Sequence, residues 1–176
     1  MDEYGTLLPY FSGWMRQRLE AVPEGSRPFI REIRLRLGQP VVLTAKDGPF
    51  FLSREGRLLT KPPAFPERAS REELLEILKK VCGYSLQSCQ QELAQGYYTL
   101  PGGHRVGIAG TVSAENGRVN ALWQPLSLNF RIARQLPGAA GGLPRKLYSG
   151  GERPSVLIAG VPSSGKTTLL GDLVRG

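Results

Sequence analysis

Apolar and polar positions along the chain change their spacing several times, and each change marks a different predicted element. Over residues 6–22 the apolar side chains recur three and four positions apart, which predicts one amphipathic helix. Over residues 29–37 they alternate with charged side chains, which predicts a strand buried on one face. Turn-forming residues then separate the apolar runs 41–44 and 50–52, so we expect two antiparallel hairpins.

Two further helices are expected after a Pro-rich connector. Ser70 and Glu73 have the spacing of a capping box, which marks the N-terminus of a helix. The apolar positions behind them continue the helical period, and Gly83 is the expected stop signal. The second helix is predicted over about 86–95 and ends before a glycine.

From residue 97 the period returns to two, which predicts a meander of three strands. The strands are expected over 97–100, 105–112 and 126–133. The residues expected on one face of the last strand are Leu126, Leu128, Phe130 and Ile132. The whole pattern predicts an α+β fold, in which helices pack on a small antiparallel sheet.

Glycine and proline are concentrated behind this meander, as is typical of a linker. We therefore expect three segments. The first is an α/β N-terminal domain over 1–135, and the second is a Gly/Pro-rich linker over 136–154. The third, 155–176, begins a different domain.

The third segment contains a phosphate-binding motif. Residues 160–167 match the pattern G-x-x-x-x-G-K-[ST]. The apolar run 156–159 before the motif predicts a strand buried in a parallel sheet, and a helix is predicted from Lys166 to about Arg175. Because glycine adopts backbone angles that other residues avoid, the loop amides and the helix N-terminus can converge on one anion.

We expect this loop to bind ATP together with Mg²⁺. Lys166 would place a positive charge on the β- and γ-phosphates, and the Thr167 hydroxyl would be the Mg²⁺ ligand. The expected nucleotide-binding residues are Gly160, Val161, Pro162, Ser163, Ser164, Gly165, Lys166, Thr167 and Thr168. The chain ends nine residues after Thr167, so we interpret it as the front of a larger ATPase, truncated just after this Walker A motif.

The net charge of +8 is unevenly distributed. Residues 101–176 hold nine Lys and Arg against three Asp and Glu, whereas the two signs are nearly balanced in the rest of the chain. The excess of positive charge near the phosphate-binding motif indicates a polyanionic partner. A hydrophobic content of 40% is enough for an ordinary core.

Cys82 and Cys89 are expected to be small buried hydrophobic residues rather than a disulfide. With His104 as the single histidine, the chain offers no zinc-ligand spacing. We expect a cytoplasmic protein, because no signal peptide and no membrane-spanning apolar run are found in the sequence.

Three stretches resemble the family of stage III sporulation protein AA. They are EIRLRLGQP at 32–40, GYYTLPGGHRVGIAGT at 96–111 and SLNFRIAR at 127–134. The resemblance extends in order over most of the chain and reaches the phosphate-binding motif. It is therefore more specific than the motif alone.

The resemblance implies a relationship to the hexameric secretion and pilus-motor ATPases, in which a small α/β domain precedes a RecA-like ATPase domain. It implies a mother-cell ATPase that energises a channel between mother cell and forespore. The implied partners are further copies of the same protein, as a homo-hexamer, and membrane-embedded channel proteins. A Walker B acid and a catalytic glutamate have no counterpart here, so we assign no catalytic residue and expect these 176 residues alone to be inactive.

The resemblance also implies that arginines of the N-terminal domain reach nucleotide phosphates. Arg131 and Arg134, at the end of the last predicted strand, are the candidates for this role. From the residues alone, solvated charges on a strand face explain them better. A tight turn between strands explains Gly102, Gly103, His104 and Arg105 without chemistry.

Two alternative functions remain open at this stage. The charge excess also fits a nucleic-acid-associated P-loop ATPase, with nucleic acid as a less favoured partner. Residues 1–135 would also serve as a pure assembly domain that binds sister subunits or a membrane protein.

Overall fold

A computed structural model of the chain describes residues 2–115, 118–134, 138–149, 155–162 and 164–174. The chain divides into two compact units, Met1–Ala133 and Arg134–Gly176. The predicted Asn116-Gly117 turn lies outside the described residues.

Seven antiparallel strands form one sheet in the described part of the larger unit. Their bounds are β1 Ile30–Arg36, β2 Val42–Ala45, β3 Gly48–Leu52, β4 Leu58–Leu59, β5 Tyr97–Thr99, β6 Arg105–Glu115 and β7 Arg118–Arg131. The spatial order is β4-β3-β2-β1-β7-β6-β5. The predicted hairpins and the predicted meander are thus two halves of a single sheet, joined where β1 pairs with β7.

The mixed helix and antiparallel sheet confirms the predicted fold class at this level. The core lies on one face of the sheet, because alternate residues of the strands point to it. Ile33, Leu35, Val106, Leu128 and Phe130 are all buried there. The residues between them on the strands, such as Arg34 and Asn129, line the opposite face.

The single helix predicted over 6–22 was wrong in one respect. The segment is a 3-10 helix, Gly5–Tyr10, followed by α1, Gly13–Glu20. Pro9 lacks an amide hydrogen for an α-helical bond, and Ser12 is extended between the two helices. The apolar period nevertheless identified the buried side, since the core residues of this segment are Leu7, Phe11, Met15, Leu19 and Val22.

The capping box is confirmed at α2, Arg71–Val81. The Ser70 hydroxyl accepts the amide of Glu73 at 3.2 Å, and the Glu73 carboxylate accepts the amide of Ser70 at 2.8 Å. The other carboxylate oxygen of Glu73 accepts the indole N–H of Trp14 in α1 at 2.5 Å. One carboxylate therefore caps α2 and joins it to α1.

The helix predicted over 86–95 is shorter than expected, because α3 comprises only Gln90–Ala94. The residues before it form turns, with Tyr84 in the left-handed conformation at φ 61°. Both α2 and α3 pack on β7. Cys82 and Cys89, at the ends of these helices, are buried free thiols, as the sequence predicts.

The predicted face of the last strand is correct for Leu128 and Phe130, which are buried, and for the partly buried Ile132. It was wrong for Leu126, which is 42% exposed. The pairing of β6 with β7 shifts between Ala109 and Gly110 and again further along. Such irregularities change the face to which the following side chains point, and a strict period of two cannot anticipate them.

The smaller unit contains two helices within its described residues. The predicted linker includes α4, Leu143–Tyr148, and the phosphate-binding motif precedes α5, Lys166–Leu173. The strand predicted over 156–159 was wrong, because residues 155–160 have no regular structure. A strand of a parallel sheet needs neighbouring strands for its backbone hydrogen bonds, and Leu157, which is 91% exposed, has no such neighbour within the described residues.

None of the helices in the described ranges combines the length and the apolar composition that crossing a bilayer requires.

Candidate nucleotide-binding site

The phosphate-binding motif forms a loop that ends at the N-terminus of α5. Gly165 is the N-cap residue, with φ 85° and ψ 11°, a left-handed conformation that residues with a Cβ avoid. The amide of Leu169 donates to the carbonyl of Gly165 at 2.9 Å. The amides of the first helical turn before Leu169 have no partner within the helix and are oriented toward the loop.

At the start of the loop, Gly160 allows side chains to pack closely against the backbone. A Cβ on Gly160 would lie 2.9 Å from the Ser164 hydroxyl and 3.7 Å from the Lys166 side chain. The amide of Ser164 donates to the carbonyl of Val161 at 3.3 Å, which closes the turn. A side chain at position 160 would therefore displace the Ser164 hydroxyl from its place in the loop. Ser163 lies outside the described residues.

Lys166 folds back over this loop. Its ammonium group donates to the carbonyl of Val161 at 2.6 Å, across the mouth of the turn. The side chain is half-buried, so its position is held by packing as well as by this bond. A positive charge thus lies over the same loop to which the helix N-terminus points.

A depression of about 390 Å³ lies between the loop and α5. Its lining residues are Ala139, Ile158, Ala159, Ser164, Gly165, Lys166, Thr168 and Leu169. Lys166 is the single charged side chain among these lining residues, and the remaining wall combines the hydroxyl residues Ser164 and Thr168 with apolar side chains. The depression therefore suits an anionic group.

The other predicted residues of the site flank this depression. Thr167 is exposed on the first turn of α5, with its hydroxyl accessible, whereas Thr168 is half-buried. Val161 and Pro162 are exposed, and their side chains do not line the depression.

In the described part of the chain no cluster of three His, Cys, Asp or Glu side chains forms a metal site. Mg²⁺ at Thr167 would therefore need its remaining ligands from nucleotide and water.

Asp172 holds the far end of α5 in place, a role that the sequence did not reveal. Its two carboxylate oxygens accept the amides of Gly138 and Ala140, at 3.1 and 2.8 Å. This contact fixes the segment that contributes Ala139 to the depression. The only sequence signal was that Asp172 is the single acidic residue of α5.

Arg131, the first of the two candidate arginines, lies at the end of β7 and its side chain is 68% exposed. Its guanidinium is 3.4 Å from a carboxylate oxygen of Glu32 on the neighbouring strand β1. The pairing of β1 with β7 brings these two charges together, and the spacing of residues in the sequence does not indicate it. Arg134, the second candidate, is half-buried and begins the smaller unit.

His104 is buried and belongs to a structural network rather than to a catalytic one. Its Nδ1 accepts the amide of Ala133 at 3.0 Å, and its Nε2 is 3.0 Å from the Thr6 hydroxyl. That hydroxyl donates to the carbonyl of Glu3 at 2.7 Å, so Nε2 carries the proton and donates to Thr6. The histidine is thus a fixed neutral tautomer.

The chain is similar to known proteins over almost its entire length. The family model described as "Sporulation stage III, protein AA" matches residues 9–176. Stage III sporulation protein AA of Bacillus subtilis (strain 168) is 39% identical over 175 residues, which is 99% of this chain and 52% of that protein. The chain therefore spans about half the length of this curated relative.

Among solved structures, the Legionella pneumophila ATPase DotB aligns with a TM-score of 0.47 and 21% identity. The alignment covers 92% of this chain and 40% of the DotB chain.

Proposed function

The chain belongs to the family of sporulation stage III, protein AA, and from this premise we propose that it is the front portion of an ATP-binding and ATP-hydrolysing motor subunit of endospore formation. The motor is of the secretion-ATPase type. It energises the channel between mother cell and forespore from the mother-cell cytoplasm. Its partners are further copies of itself, in a homo-hexamer, and the membrane-embedded proteins of the channel.

The observation that carries this proposal is the arrangement of Gly165 and Lys166 at the start of α5. A left-handed glycine at the N-cap, a helix N-terminus and an ammonium group are all directed at one small loop. Each of these features favours a negative charge, and together they suit the phosphates of a nucleotide better than a single carboxylate.

Bound Mg-ATP would supply the phosphoanhydride bond whose hydrolysis drives the motor. The residues of this chain bind and orient it. The amides around Gly160–Gly165 and the Lys166 ammonium hold the phosphates, and the Thr167 hydroxyl holds Mg²⁺. Arg131 and Arg134 would reach nucleotide phosphates in the assembled protein. The 176 residues contain no assigned catalytic residue, and we propose that they do not hydrolyse ATP alone.

Isothermal titration of Mg-ATP into the complete protein and into these 176 residues tests the proposal. We expect saturable binding to the complete protein and much weaker binding to the shorter chain, because no parallel sheet surrounds the loop within the described residues. Lys166→Ala should abolish binding to the complete protein. Lys146→Ala, a matched loss of charge on α4, should not change it. Equal binding by both chains, or full binding by Lys166→Ala, would overturn the proposal.

A further inference from the structure

The face of the sheet opposite the core carries an ordered row of side chains. The register places one residue from each of six neighbouring strands in line, in the order Phe51, Val42, Arg34, Asn129, Gly107 and Tyr97. We call this line the aromatic row, because an aromatic ring stands at each end. Phe51 is half-buried and Tyr97 is 38% exposed, so both rings are accessible from solvent.

A second row runs parallel to the first and contains most of the charge. Its members are Pro49, Thr44, Glu32, Arg131, Arg105 and Thr99. Arg105 and Arg131 lie directly opposite each other on adjacent strands. Like charges in this position destabilise a sheet by a few tenths of a kcal/mol to about 1 kcal/mol. A binding role for the two arginines would explain why the fold places them there.

The two rows and the adjoining Arg36 hold more positive than negative charge. Four arginines, Arg34, Arg36, Arg105 and Arg131, face a single glutamate, Glu32, which gives these five side chains a net charge of +3. Glu32 forms an ion pair with Arg34. The Nε and Nη2 of Arg34 donate to the same carboxylate oxygen, at 2.9 and 2.6 Å. Arg105 instead lies over the Tyr97 ring, 5.4 Å from its centroid.

Polar atoms on this face also lack partners. Within the described residues, the side-chain oxygens of Asn129 and Thr44 accept and donate no hydrogen bond, although both atoms are inaccessible to water. Asn129 lies in the aromatic row between Arg34 and Gly107, and the missing side chain of the glycine leaves space beside it. A ligand that lies across the strands would reach these two groups only after a change of the Asn129 or Thr44 rotamer.

A depression of about 250 Å³ opens at the Phe51 end of the aromatic row. Its lining residues are Arg34, Arg36, Gln39, Pro40, Val42 and Phe51. The depression combines an aromatic ring, a proline, two guanidinium groups and an amide. These are the groups that stack on a nucleobase, bind its phosphate and form hydrogen bonds with its edge.

We propose that this face binds a single-stranded nucleic acid that runs across the strands, with bases stacked on Phe51 and Tyr97 and phosphates held by Arg34, Arg36 and Arg105. The two aromatic residues are five strand spacings apart, about 24 Å at the usual separation of about 4.8 Å. That length accommodates several nucleotides, and alternating stacking and charge is how sheets bind unpaired strands.

Two other anionic partners fit the face less well. In a duplex the bases are paired and stacked inside, so Phe51 and Tyr97 would have no base to contact. An acidic protein segment would use the arginines and leave both rings and the depression without a function. The aromatic row therefore favours unpaired bases.

Fluorescence anisotropy with a labelled 12-nucleotide oligo-dT and an oligo-U of the same length tests the proposal on the 176-residue chain. We expect Tyr97→Leu and Phe51→Leu each to weaken binding about 5- to 100-fold, the usual effect of losing one stacked base. Arg34→Gln and Arg105→Gln should each reduce the slope of log affinity against log salt by about 0.7, one single-strand phosphate contact. Arg16→Gln, an exposed charge in α1, is the matched control and should leave the slope at the value for the unmodified chain.

Arg131 is left out of these variants, because it also belongs to the proposed nucleotide site. Failure of oligonucleotide binding is therefore distinguishable from failure of ATP binding. Thermal melts of every variant would separate loss of binding from loss of folding. Equal affinity for duplex DNA or polyglutamate, or binding unaffected by both aromatic variants in folded protein, would overturn the proposal.

Discussion

The hydroxyl of Tyr4 donates a hydrogen bond of 2.9 Å to the carbonyl of Leu19, across fifteen positions of the sequence. Both residues are buried, and the bond ties the first residues of the chain to the end of α1. Because burial disfavours the phenolate, the pKa of Tyr4 is raised well above its usual value. Burial also raises the pKa of the Cys82 thiol to about 12.

Alkaline pH should therefore destabilise the fold, and Tyr4→Phe should reduce the effect. The folded state retains protons on Tyr4 and Cys82 that the unfolded chain releases at alkaline pH. Their contribution to the free energy of unfolding is therefore complete below the pKa values of the unfolded chain, about 8.5 for Cys and about 10 for Tyr. It is lost progressively as the pH rises above those values. At pH 7 Tyr4→Phe should cost about 1 kcal/mol, one hydrogen bond. Urea midpoints at pH 7, 9 and 10.5 measure both effects. Parallel pH profiles for the two proteins would contradict the role of Tyr4.

His104→Ala should destabilise the larger unit by about 2–4 kcal/mol, because it leaves a cavity and removes the acceptor of the Ala133 amide. Thr6→Val removes both hydrogen bonds of the Thr6 hydroxyl, to His104 and to the carbonyl of Glu3, and should cost about 2 kcal/mol. In the double variant the two costs should not add, since both include the Thr6 bond. Urea unfolding of the three variants measures this coupling. Strict additivity would show that Thr6 and His104 do not interact.

Asp172→Ala should loosen the segment beside the nucleotide-binding loop. The carboxylate accepts the amides of Gly138 and Ala140, and charge-assisted bonds of this kind correspond to about 10- to 100-fold in an opening equilibrium. Hydrogen exchange at these two amides should accelerate by that factor. Asp172→Asn keeps one acceptor oxygen and should give an intermediate rate. Unchanged exchange in Asp172→Ala would mean that the carboxylate does not hold this segment.

Glu32→Gln should change stability and nucleic-acid affinity in opposite directions. It removes the carboxylate that Arg34 and Arg131 share, at a cost of about 1 kcal/mol that added salt partly restores. It also raises the charge of the two rows and Arg36 from +3 to +4, so oligonucleotides should bind more tightly. Glu20→Gln, which breaks an exposed pair with Arg16, should cost less than about 0.5 kcal/mol and leave oligonucleotide affinity unchanged. A parallel loss of stability and affinity in Glu32→Gln would contradict the proposed face.

Local sequence rules predict much of this fold. The capping box at Ser70 and Glu73 depends on bonds within one turn, and the alternation in β1 depends on one strand, so both were predictable. The joining of β1 to β7 was not, because pairing between distant strands depends on the packing of the whole core. The strand predicted over 156–159 failed for a related reason, since an isolated apolar run has nothing to pair with.

Some features of the candidate nucleotide-binding site were likewise predictable from the sequence, and others were not. The motif predicted the glycine conformation at Gly165 and the placement of Lys166, which are local properties of a loop that enters a helix. The contact of Asp172 with the amides of Gly138 and Ala140 joins residues more than thirty positions apart, which sequence spacing does not encode. The sequence does not reveal the aromatic row either, because its six residues become neighbours only when the strands pair in this register.

The pairing of β1 with β7 also has a consequence for the order of folding. Every other strand pair of the described sheet joins neighbours in sequence, whereas Glu32 meets Arg131 after roughly one hundred intervening residues. The β1–β4 hairpins and the β5–β7 meander can each form by contacts between residues that are close in sequence. The pairing of β1 with β7, which is the seam between these two halves, requires closure of a long loop. We therefore expect this seam to limit the folding rate. During synthesis it cannot close until β7 has left the ribosome.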